Sequence, residues 1–398
     1  MKILSVVGAR PNFMKIAPII RAVGEHNRAA PDRERIDHVL VHTGQHYDRK
    51  MSGVFFEDLG LPDPDVCLGV GSGSHAVQTA ETMKRFEEAL LNHKPDCVVL
   101  VGDVNSTVAC ALTASKISYN GLPGSAGSRP LVAHVEAGLR SFDRDMPEEI
   151  NRIVTDHLSD LLFVTEQSGV DNLLREGTGE GGIFFVGNTM IDTLLACRER
   201  AGSSPILDTL GLSPGGFALA TLHRPANVDS PEKFREILGA LDEISRSLAV
   251  VIPLHPRTLG RLRETPEGRL AILGGGQGAR RDRVNAIGPL SYLDFVCLMA
   301  NSRIVLTDSG GVQEETTCLG VPCVTVRENT ERPVTLTEGT NALAGTSREG
   351  IIRVFKRQMN KKFDCAAPRL WDGKAAERIV KVLGEKAAHI NHQSKLSS

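Results

Sequence analysis

Residues 97–107 read CVVLVGDVNST, and this stretch decides the fold class of the chain. The apolar, β-branched run Cys97–Val101 predicts a strand buried in a parallel sheet. Gly102 and Asp103 interrupt the run, and a helix-period segment from Thr107 to Ser118 follows. A buried strand that passes through a short polar turn into a helix is the repeating unit of an α/β fold.

Runs of the same kind alternate with helix-period segments along the whole chain, which predicts two sets of parallel strands. In the first half they are Ile3–Val7, Val39–Thr43, Leu131–Val135, Leu161–Thr165 and Ile183–Val186, and in the second half Phe217–Leu222, Ala249–Pro253, Leu270–Leu273, Val284–Ile287, Ile304–Thr307 and Cys323–Val326. A chain of 398 residues exceeds what one hydrophobic core usually supports. We therefore expect two domains, with a boundary near Gly187 and a connecting stretch at residues 202–216.

The overall composition argues against several classes of function. The 46 Lys and Arg residues nearly cancel the 48 Asp and Glu residues, so the net charge favours neither nucleic acid nor an anionic membrane. The 8 cysteines and the histidines lack metal-ligand spacing, and no apolar run reaches the length of a transmembrane helix. The N-terminal apolar run is too short for a signal peptide. We predict a cytoplasmic protein that has no metal and no nucleic-acid or membrane partner.

In open parallel sheets the ligand lies beyond the carboxyl ends of the strands, so the residues directly after each run are the informative ones. Here these positions are polar in both halves, and the two groups predict a cleft between the domains. In the first half they are Arg10, Lys15, Gly102-Asp103 and Glu136, and in the second half His223-Arg224, His255-Pro256-Arg257 and Asp308-Ser309-Gly310-Gly311.

Asp308-Ser309-Gly310-Gly311 is the best phosphate candidate. Its glycines let a ligand approach the backbone, and a following helix would direct free amides at it. Glu314 or Glu315, one turn later, is placed to accept ribose hydroxyls. The alternative is an ordinary helix N-cap formed by Asp308 or Ser309. Three basic residues have two interpretations: they help to bind the anion, or they are solvated surface charges. They are Arg10, Lys15 and Arg332.

Carboxylates after two strands and at one helix start suggest general acid/base chemistry. Asp103 either serves such chemistry or caps the helix at Thr107, and Glu148 either serves it or favours the helix dipole. Glu136 lies between a buried strand and Ala137-Gly138, where an acid needs a partner or a function. His223 is a capping or core histidine, or it donates to a leaving phosphate.

Separated motifs of this chain resemble, in the same order, those of the non-hydrolysing UDP-N-acetylglucosamine 2-epimerases. The likeness extends from about Met1 to about Gly373. The motifs are Gly8-Ala9-Arg10-Pro11 with Lys15, Thr43-Gly44-Gln45-His46, Gly102-Asp103, His134-Val135-Glu136-Ala137-Gly138-Leu139-Arg140, Pro147-Glu148-Glu149-Ile150-Asn151-Arg152, Gly187-Asn188-Thr189, His223-Arg224, Leu306-Thr307-Asp308-Ser309-Gly310-Gly311-Val312-Gln313-Glu314-Glu315 and Thr330-Glu331-Arg332-Pro333.

The resemblance implies an α/β protein with the GT-B fold, in which two Rossmann-like domains turn parallel sheets toward a cleft. The N-terminal domain would comprise residues 1–187 and a C-terminal helix at about 371–398, and the UDP-binding domain residues 188–370. Enzymes of this family remove the proton at carbon 2 of the sugar, expel UDP to give a glycal, and add UDP back after protonation on the other face. They need no redox cofactor.

The resemblance also assigns roles to residues. It gives proton transfer to Asp103, Glu136 and Glu148, and makes His223 a catalytic residue that holds the departing UDP together with Arg10. The other substrate contacts that it implies are Lys15, Tyr292, Leu293, Ser309, Gly310, Gly311, Glu315 and Arg332.

Family members are typically homodimers, and bacterial members are activated by a second UDP-N-acetylglucosamine beside the active site. The resemblance places that allosteric contact at Gln45, His46 and Arg224. After His223-Arg224 the family often has a glutamate two positions on, whereas this chain has Pro225-Ala226-Asn227. That departure concerns the allosteric site.

The sugar has alternatives. Asn12 stands where many members have glutamate. A related branch that acts on UDP-2,3-diacetamido-2,3-dideoxy-glucuronic acid shares the aromatic-containing loop Arg10-Pro11-Asn12-Phe13-Met14-Lys15 and a segment like Thr43-Gly44-Gln45-His46. Thr330-Glu331-Arg332-Pro333 instead resembles the N-acetylglucosamine enzymes. A UDP-sugar glycosyltransferase of the same fold, a hydrolysing relative and an inactive sensor are further alternatives. The trio of carboxylates favours the epimerase.

Overall fold

A computed structural model describes residues 1–44, 55–119, 129–254, 270–272, 278–363 and 367–396. The chain divides into two compact units. Unit 1 comprises Met1–Thr193 and Arg369–Ser398, and unit 2 comprises Leu194–Pro368. Each unit is built around its own parallel sheet.

Unit 1 contains a seven-stranded sheet in the order β3-β2-β1-β4-β5-β6-β7, and its neighbouring strands are parallel. The strands are β1 (Lys2–Val7), β2 (Asp37–His42), β3 (Val66–Cys67), β4 (Cys97–Val101), β5 (Leu131–Ala137), β6 (Leu161–Val164) and β7 (Ile183–Phe185). Strand β4 is buried along its whole length, as its apolar sequence predicts. Because β1 and β5 flank β4, the loops after these three strands lie side by side.

The helices of unit 1 pack on this sheet and bury apolar side chains such as Phe86 and Leu90. They are α1 (Arg10–Ala29), α2 (His75–His93), α3 (Asn105–Lys116), α4 (Pro147–Leu158), α5 (Gln167–Arg175), α6 (Thr189–Gly202) and, after unit 2, α14 (Ala375–Leu396). The chain crosses into unit 2 within α6.

The returning helix α14 is fastened to unit 1 by polar contacts at its start. Asp192 accepts hydrogen bonds from the backbone amides of Ala375 at 3.1 Å and Ala376 at 2.7 Å. Just before the helix, the indole of Trp371 donates to the carbonyl of Thr165 at 2.9 Å. The two bonds to Asp192 satisfy helix amides that have no partner within the helix.

Unit 2 also contains a seven-stranded parallel sheet, in the order β10-β11-β9-β8-β12-β13-β14. Its strands are β8 (Phe217–Thr221), β9 (Ala249–Pro253), β10 (Leu270–Ile272), β11 (Val284–Ile287), β12 (Ile304–Thr307), β13 (Cys323–Thr325) and β14 (Asn341–Leu343). Its helices are α7 (Ile206–Leu210), α8 (Pro225–Val228), α9 (Pro231–Ser245), α10 (Tyr292–Asn301), α11 (Gly310–Leu319), α12 (Val334–Thr337) and α13 (Arg348–Asn360).

The predicted α/β class with parallel sheets is confirmed, and each predicted strand is found with small shifts at its ends. Two short strands, Val66–Cys67 and Asn341–Leu343, were not predicted because neither lies in an apolar run. Within residues 202–216, predicted as a plain connection, α7 forms a short helix. Among the helices of the described segments, none combines the length and apolar character needed to cross a membrane.

Candidate functional site

The loop between β1 and α1 is held by a buried asparagine. The side-chain oxygen of Asn12 accepts from the backbone amides of Gly8 at 3.2 Å and Ala9 at 3.0 Å, and its amide group donates to the carbonyl of Val101 at 2.8 Å. Asn12 therefore ties this loop to the carboxyl end of β4. In the first turn of α1, Arg10 is half-buried and its guanidinium lies 5.0 Å from the centre of the Phe55 ring.

One turn later, Lys15 is buried and forms an ion pair with Glu136 at the end of β5. The ammonium reaches the carboxylate past Gly102, where a Cβ atom would lie 2.7 Å from Lys15 Nζ. Gly102 also has a φ of +69°, which favours glycine. A glycine after β4 is thus required both by the turn and by the close approach of the lysine.

Glu136 has a strained backbone conformation. Its φ is +78°, and the pairing of β5 with β6 shifts register between Val135 and Ala137. A non-glycine residue in this region is uncommon and carries a cost of order 1 kcal/mol or more, which is typical of functional sites. The bulge directs an acid into the carboxyl end of the sheet, where Lys15 meets it.

Helix α4 carries buried charges on one face. Glu149, Arg152 and Asp156 are spaced three and four residues apart, which places them on the same side of a helix, and each is at most 2% exposed. Glu148, the second residue of α4, is only half-buried. Its place in the first turn also suits the positive end of the helix dipole.

Arg152 connects two carboxylates. Its Nε and Nη2 donate to Oε2 of Glu149 at 3.1 and 2.7 Å, and its Nη1 contacts Oδ2 of Asp103. Burial acts to raise the pKa of Glu149, but hydrogen bonds from Ser141, Arg152 and Phe142 outweigh it and hold this pKa below its usual range. The N-cap of α3 is Val104, so the reading of Asp103 as a helix cap is wrong.

A second buried cluster lies under the same loops. His134 contacts Asp156 Oδ1 through Nδ1 at 2.6 Å and the carbonyl of Gly102 through Nε2 at 2.8 Å. Asp156 also accepts from the amide of Gly138 at 3.0 Å and pairs with Arg140 at 2.7 Å. Burial acts to raise the pKa of Asp156, but His134 and Arg140 lower it overall. The cluster links the turn after β4 to the turn after β5.

In unit 2, Asp308 follows β12 and is fully buried. Its carboxylate faces Nδ1 of His223 at 2.8 Å and accepts from the backbone amide of Arg224 at 3.0 Å and from the side chain of Asn227 at 3.1 Å. Burial acts to raise the pKa of Asp308, but these contacts, led by His223, lower it. The side chain of His223 is 62% exposed, so it is anchored at one nitrogen and open at the other.

Helix α11 begins directly beside this pair, with Ser309 as its N-cap and Gly310 as its first residue. A Cβ atom on Gly310 would lie 2.3 Å from Nη1 of Arg332. Arg332 pairs with Glu314 at 2.7 Å and with Glu331. The free amides of a helix start and a guanidinium therefore lie together, as an anion site requires.

Glu331 also pairs with Arg327 at 2.8 Å and Arg224 at 3.5 Å. Three guanidinium groups, those of Arg224, Arg327 and Arg332, thus share the carboxylates of Glu314 and Glu331. The guanidinium groups of this network add hydrogen-bond donors near the start of α11, which suits an anionic ligand there.

Farther along α11, the hydroxyl of Tyr292 donates to Oε1 of Glu315 at 2.8 Å. Burial raises the pKa of Glu315 to about 7, although the Tyr292 hydrogen bond acts against it. Tyr292 begins α10, and Leu293 follows it as a half-buried residue.

The family model described as UDP-N-acetylglucosamine 2-epimerase matches residues 28–384. The chain belongs to this family. Its members are isomerases, and so is this enzyme. The fold is accordingly of the GT-B class that the motifs implied.

Two curated relatives have similar identity but different named substrates. The UDP-N-acetylglucosamine 2-epimerase of Methanocaldococcus jannaschii is 41% identical over 96% of this chain and 99% of its own. The UDP-2,3-diacetamido-2,3-dideoxy-D-glucuronate 2-epimerase of Pseudomonas aeruginosa is also 41% identical, over 97% of this chain and 100% of its own. The crystal structure of the M. jannaschii epimerase with UDP-GlcNAc and UDP matches with a TM-score of 0.82 and 40% identity, over 96% of this chain and 99% of that one.

Within unit 1 of this epimerase, the structure groups most of the predicted residues at one end of the sheet, since Lys15 contacts Glu136 and Asp103 follows the neighbouring strand. Within unit 2, His223, Arg224, Ser309, Gly310 and Arg332 surround the start of α11, and Tyr292 meets Glu315. Gln45, His46 and all of His255-Pro256-Arg257 lie outside the described residues.

Sequence reasoning gave no role to Glu149, Arg152 or Asp156. It placed Asp308 in the phosphate motif or at a helix cap, and did not foresee its contact with His223. For the acids and the arginine of α4 the signal was their spacing, because it places three charges on the face of an amphipathic helix that should be buried.

Proposed function

We propose that this enzyme interconverts UDP-N-acetylglucosamine and UDP-N-acetylmannosamine by eliminating UDP and adding it back. One observation carries the proposal: Asp103 lies just after β4 and Glu136 lies at the end of β5, two strands that pair at Val101 and Val135. Helix α4, which starts at Pro147, adds Glu148 and is bound to Asp103. Carboxylates near one another are suited to moving a proton off one face of a sugar and onto the other.

The chemistry balances without a redox step. A carboxylate takes the proton from carbon 2, the electrons of that bond form a double bond between carbons 1 and 2, and the bond from carbon 1 to the diphosphate oxygen breaks. A second carboxylic acid then protonates carbon 2 on the opposite face, and UDP returns to carbon 1. Inversion at carbon 2 needs a base on one face of the sugar and an acid on the other, so a single carboxyl group is not enough. We propose that Asp103, Glu136 and Glu148 share these transfers.

Unit 2 is proposed to hold the UDP. The start of α11 at Ser309, Gly310 and Gly311 offers backbone amides to the diphosphate, and the guanidinium groups of the network around Arg332 add hydrogen-bond donors. His223 donates to the departing diphosphate from its exposed side. Glu315 accepts the ribose hydroxyls, and Tyr292 and Leu293 lie beside the uracil. From unit 1, Arg10 and Lys15 add cations at the sugar end.

The diacetamido uronate is the second candidate, favoured by the 41% identity to the Pseudomonas aeruginosa enzyme. Its extra carboxylate at carbon 6 calls for an additional cation. In the described part of unit 1, Arg140 and Arg152 pair with carboxylates of the chain itself, whereas Arg10 and Lys15 are the cations proposed above for the sugar end. Asn12, whose identity raised this alternative, is buried and anchors a loop. The likeness of Thr330-Glu331-Arg332-Pro333 to the N-acetylglucosamine enzymes keeps that sugar as the first candidate.

The test is incubation of the purified enzyme with each UDP-sugar in heavy water, followed by proton NMR. We expect deuterium at carbon 2 of UDP-N-acetylglucosamine and an epimer mixture that still carries UDP. Exchange with the uronate substrate alone would replace the first candidate by the second, and release of free sugar would indicate a hydrolase. As variants, Asp103→Asn and Glu136→Gln should bind UDP and lose exchange. Full activity in either would remove that residue from the mechanism.

We also infer a cytoplasmic homodimer that is activated by a second UDP-N-acetylglucosamine near Arg224. The free, mostly buried cysteines among the described residues suit a reducing compartment. Light scattering of the purified enzyme tests the dimer. Initial rates that rise more steeply than hyperbolically with substrate concentration would support activation, and hyperbolic rates would refute it.

A further inference from the structure

We propose that Arg152 is a positioning residue that fixes the carboxylate of Asp103 from its buried side, and that Glu149 holds Arg152 in place for this task. The inference rests on the proposed function, since it concerns how one of the proposed acids is oriented.

The first step is the burial of the group. Arg152 is 2% exposed and Glu149 is 1% exposed. Charged side chains are rarely buried so completely unless they are paired, and burying an ion pair is costly even then. A helix that only packed against its neighbours would carry apolar residues at these positions, whereas α4 carries a glutamate and an arginine. The pair therefore calls for a role other than packing.

The second step is the saturation of Glu149. Its Oε2 accepts from the backbone amide and hydroxyl of Ser141 at 2.9 and 3.0 Å, and its Oε1 accepts from the amide of Phe142 at 2.9 Å. With Nε and Nη2 of Arg152 added, both oxygens are engaged. The guanidinium is thus locked on one edge, and its planar fork leaves Nη1 aimed in a fixed direction.

The third step is the target of Nη1, which is Oδ2 of Asp103. The neighbouring Asn151 donates to the backbone carbonyl of Asp103 at 2.9 Å. Two consecutive residues of α4 therefore contact the main chain and the side chain of Asp103. The Asp103 side chain is 25% exposed, whereas Arg152 is 2% exposed. Arg152 therefore contacts the carboxylate from its buried side, while part of the Asp103 side chain remains accessible to solvent.

This arrangement makes α4 the element that aligns the acids. Its first turn carries Glu148, and its second turn fixes Asp103 through Asn151 and Arg152. Because proton transfer depends on distances of about 3 Å, a small rotation of the Asp103 carboxylate would cost about 10²-fold in rate. Binding of UDP, proposed for unit 2, would not depend on it.

The test compares Arg152→Met, Arg152→Lys and the double variant Glu149→Gln/Arg152→Met. We expect Arg152→Met to lower deuterium exchange at carbon 2 of UDP-N-acetylglucosamine by about 10²-fold, with the UDP dissociation constant from calorimetry changed by less than about twofold. The double variant leaves no unpaired buried carboxylate at position 149, so it should fold even where the single variant does not, and should show the same loss. Lysine has one point charge and cannot hold both acids, so Arg152→Lys should remain about tenfold below the wild type.

The matched control is Arg129→Met/Asp160→Asn. This Arg–Asp pair is bidentate at 2.9 and 2.8 Å and lies in the same unit, at the opposite end of the same sheet beside the starts of β5 and β6. We expect exchange within about twofold of the wild type. Folded Arg152 variants with wild-type exchange, or an equal loss in the control, would overturn the inference. If the wild-type enzyme itself shows no exchange, the proposed function fails instead.

Discussion

The hydroxyl of Tyr292 donates a 2.8 Å hydrogen bond to Oε1 of Glu315, which joins the start of α10 to α11. Both side chains are buried. Burial raises the pKa of Glu315 to about 7, so this carboxyl group changes charge in the physiological range. Under the proposed function, its ionisation should affect the binding of the ribose.

We expect the affinity for UDP-N-acetylglucosamine to weaken below pH 7, approaching about tenfold per pH unit, because an ionised Glu315 is the better acceptor for ribose hydroxyls. In Glu315→Gln the affinity should be weaker but should lose this part of its pH dependence. Calorimetric titrations at pH 6, 7 and 8 measure both. UDP-N-acetylglucosamine is used as the ligand in these titrations, rather than UDP, because its diphosphate diester has no group that titrates near neutrality. An identical pH dependence in the two proteins would contradict the prediction.

The same ionisation should appear in the stability of the unliganded enzyme. The folded-state pKa of about 7 lies above the ordinary value of 4.5, so the favourable contribution is complete below pH 4.5 and is lost as the pH rises through 7. Relative to Glu315→Gln, the wild type should lose about 2 to 4 kcal/mol of unfolding free energy over this window. Denaturant unfolding of the wild type and of Glu315→Gln at pH 5 and pH 8 measures this loss. The same data serve as the control for the binding experiment.

A second prediction concerns Asp308 and His223. With Nδ1 facing the Asp308 carboxylate at 2.8 Å, the imidazole is fixed so that Nε2 faces outward. Asp308→Asn should lower kcat by about 10²-fold, because it removes the anionic acceptor that allows Nδ1 and Nε2 of the ring to donate at the same time. The double variant Asp308→Asn/His223→Gln should be no slower than His223→Gln alone. Additive losses in this cycle would show that Asp308 acts independently of the histidine.

A third prediction concerns Gly310. The Cβ atom of Gly310→Ala would lie 2.3 Å from Nη1 of Arg332 and 2.7 Å from Oε1 of Glu331. Since Arg332 is buried and held by Glu314, it cannot yield freely. We expect UDP affinity to fall by about tenfold or more, as one charged contact is displaced. Gly24→Ala on α1, where nothing lies within 4 Å, is the control and should keep wild-type UDP affinity.

A fourth prediction concerns the C-terminal helix. Asp192→Ala removes the acceptor for the amides of Ala375 and Ala376 and should lower the unfolding free energy by about 1 to 2 kcal/mol. It should also make α14 more sensitive to proteolysis. Asp372→Ala breaks an exposed pair with Arg378 near the same helix start and should cost less than about 1 kcal/mol. An equal loss of stability in both variants would refute a special role for Asp192.

The sequence was sufficient to predict most strands of the two sheets, because a buried parallel strand is a short run of apolar residues. Cys97–Val101 is apolar at every position and is a strand at those bounds. Asn341–Leu343 is a strand only because it pairs with Cys323–Thr325, and its own three residues carry no such signature. Short edge strands depend on a partner that the sequence does not reveal.

The sequence by itself determined which residues stand at the carboxyl ends of the strands, because that position follows from where each apolar run stops. Asp103, Glu136, His223 and the start of α11 were all placed in this way. Only the tertiary structure decided their partners. Lys15 lies beside Glu136, Arg152 beside Asp103, and Asp308 beside His223, although these pairs are separated by tens of residues along the chain. The reason is that strand order and helix packing, rather than local propensity, bring such side chains together and determine which charges are buried with a partner.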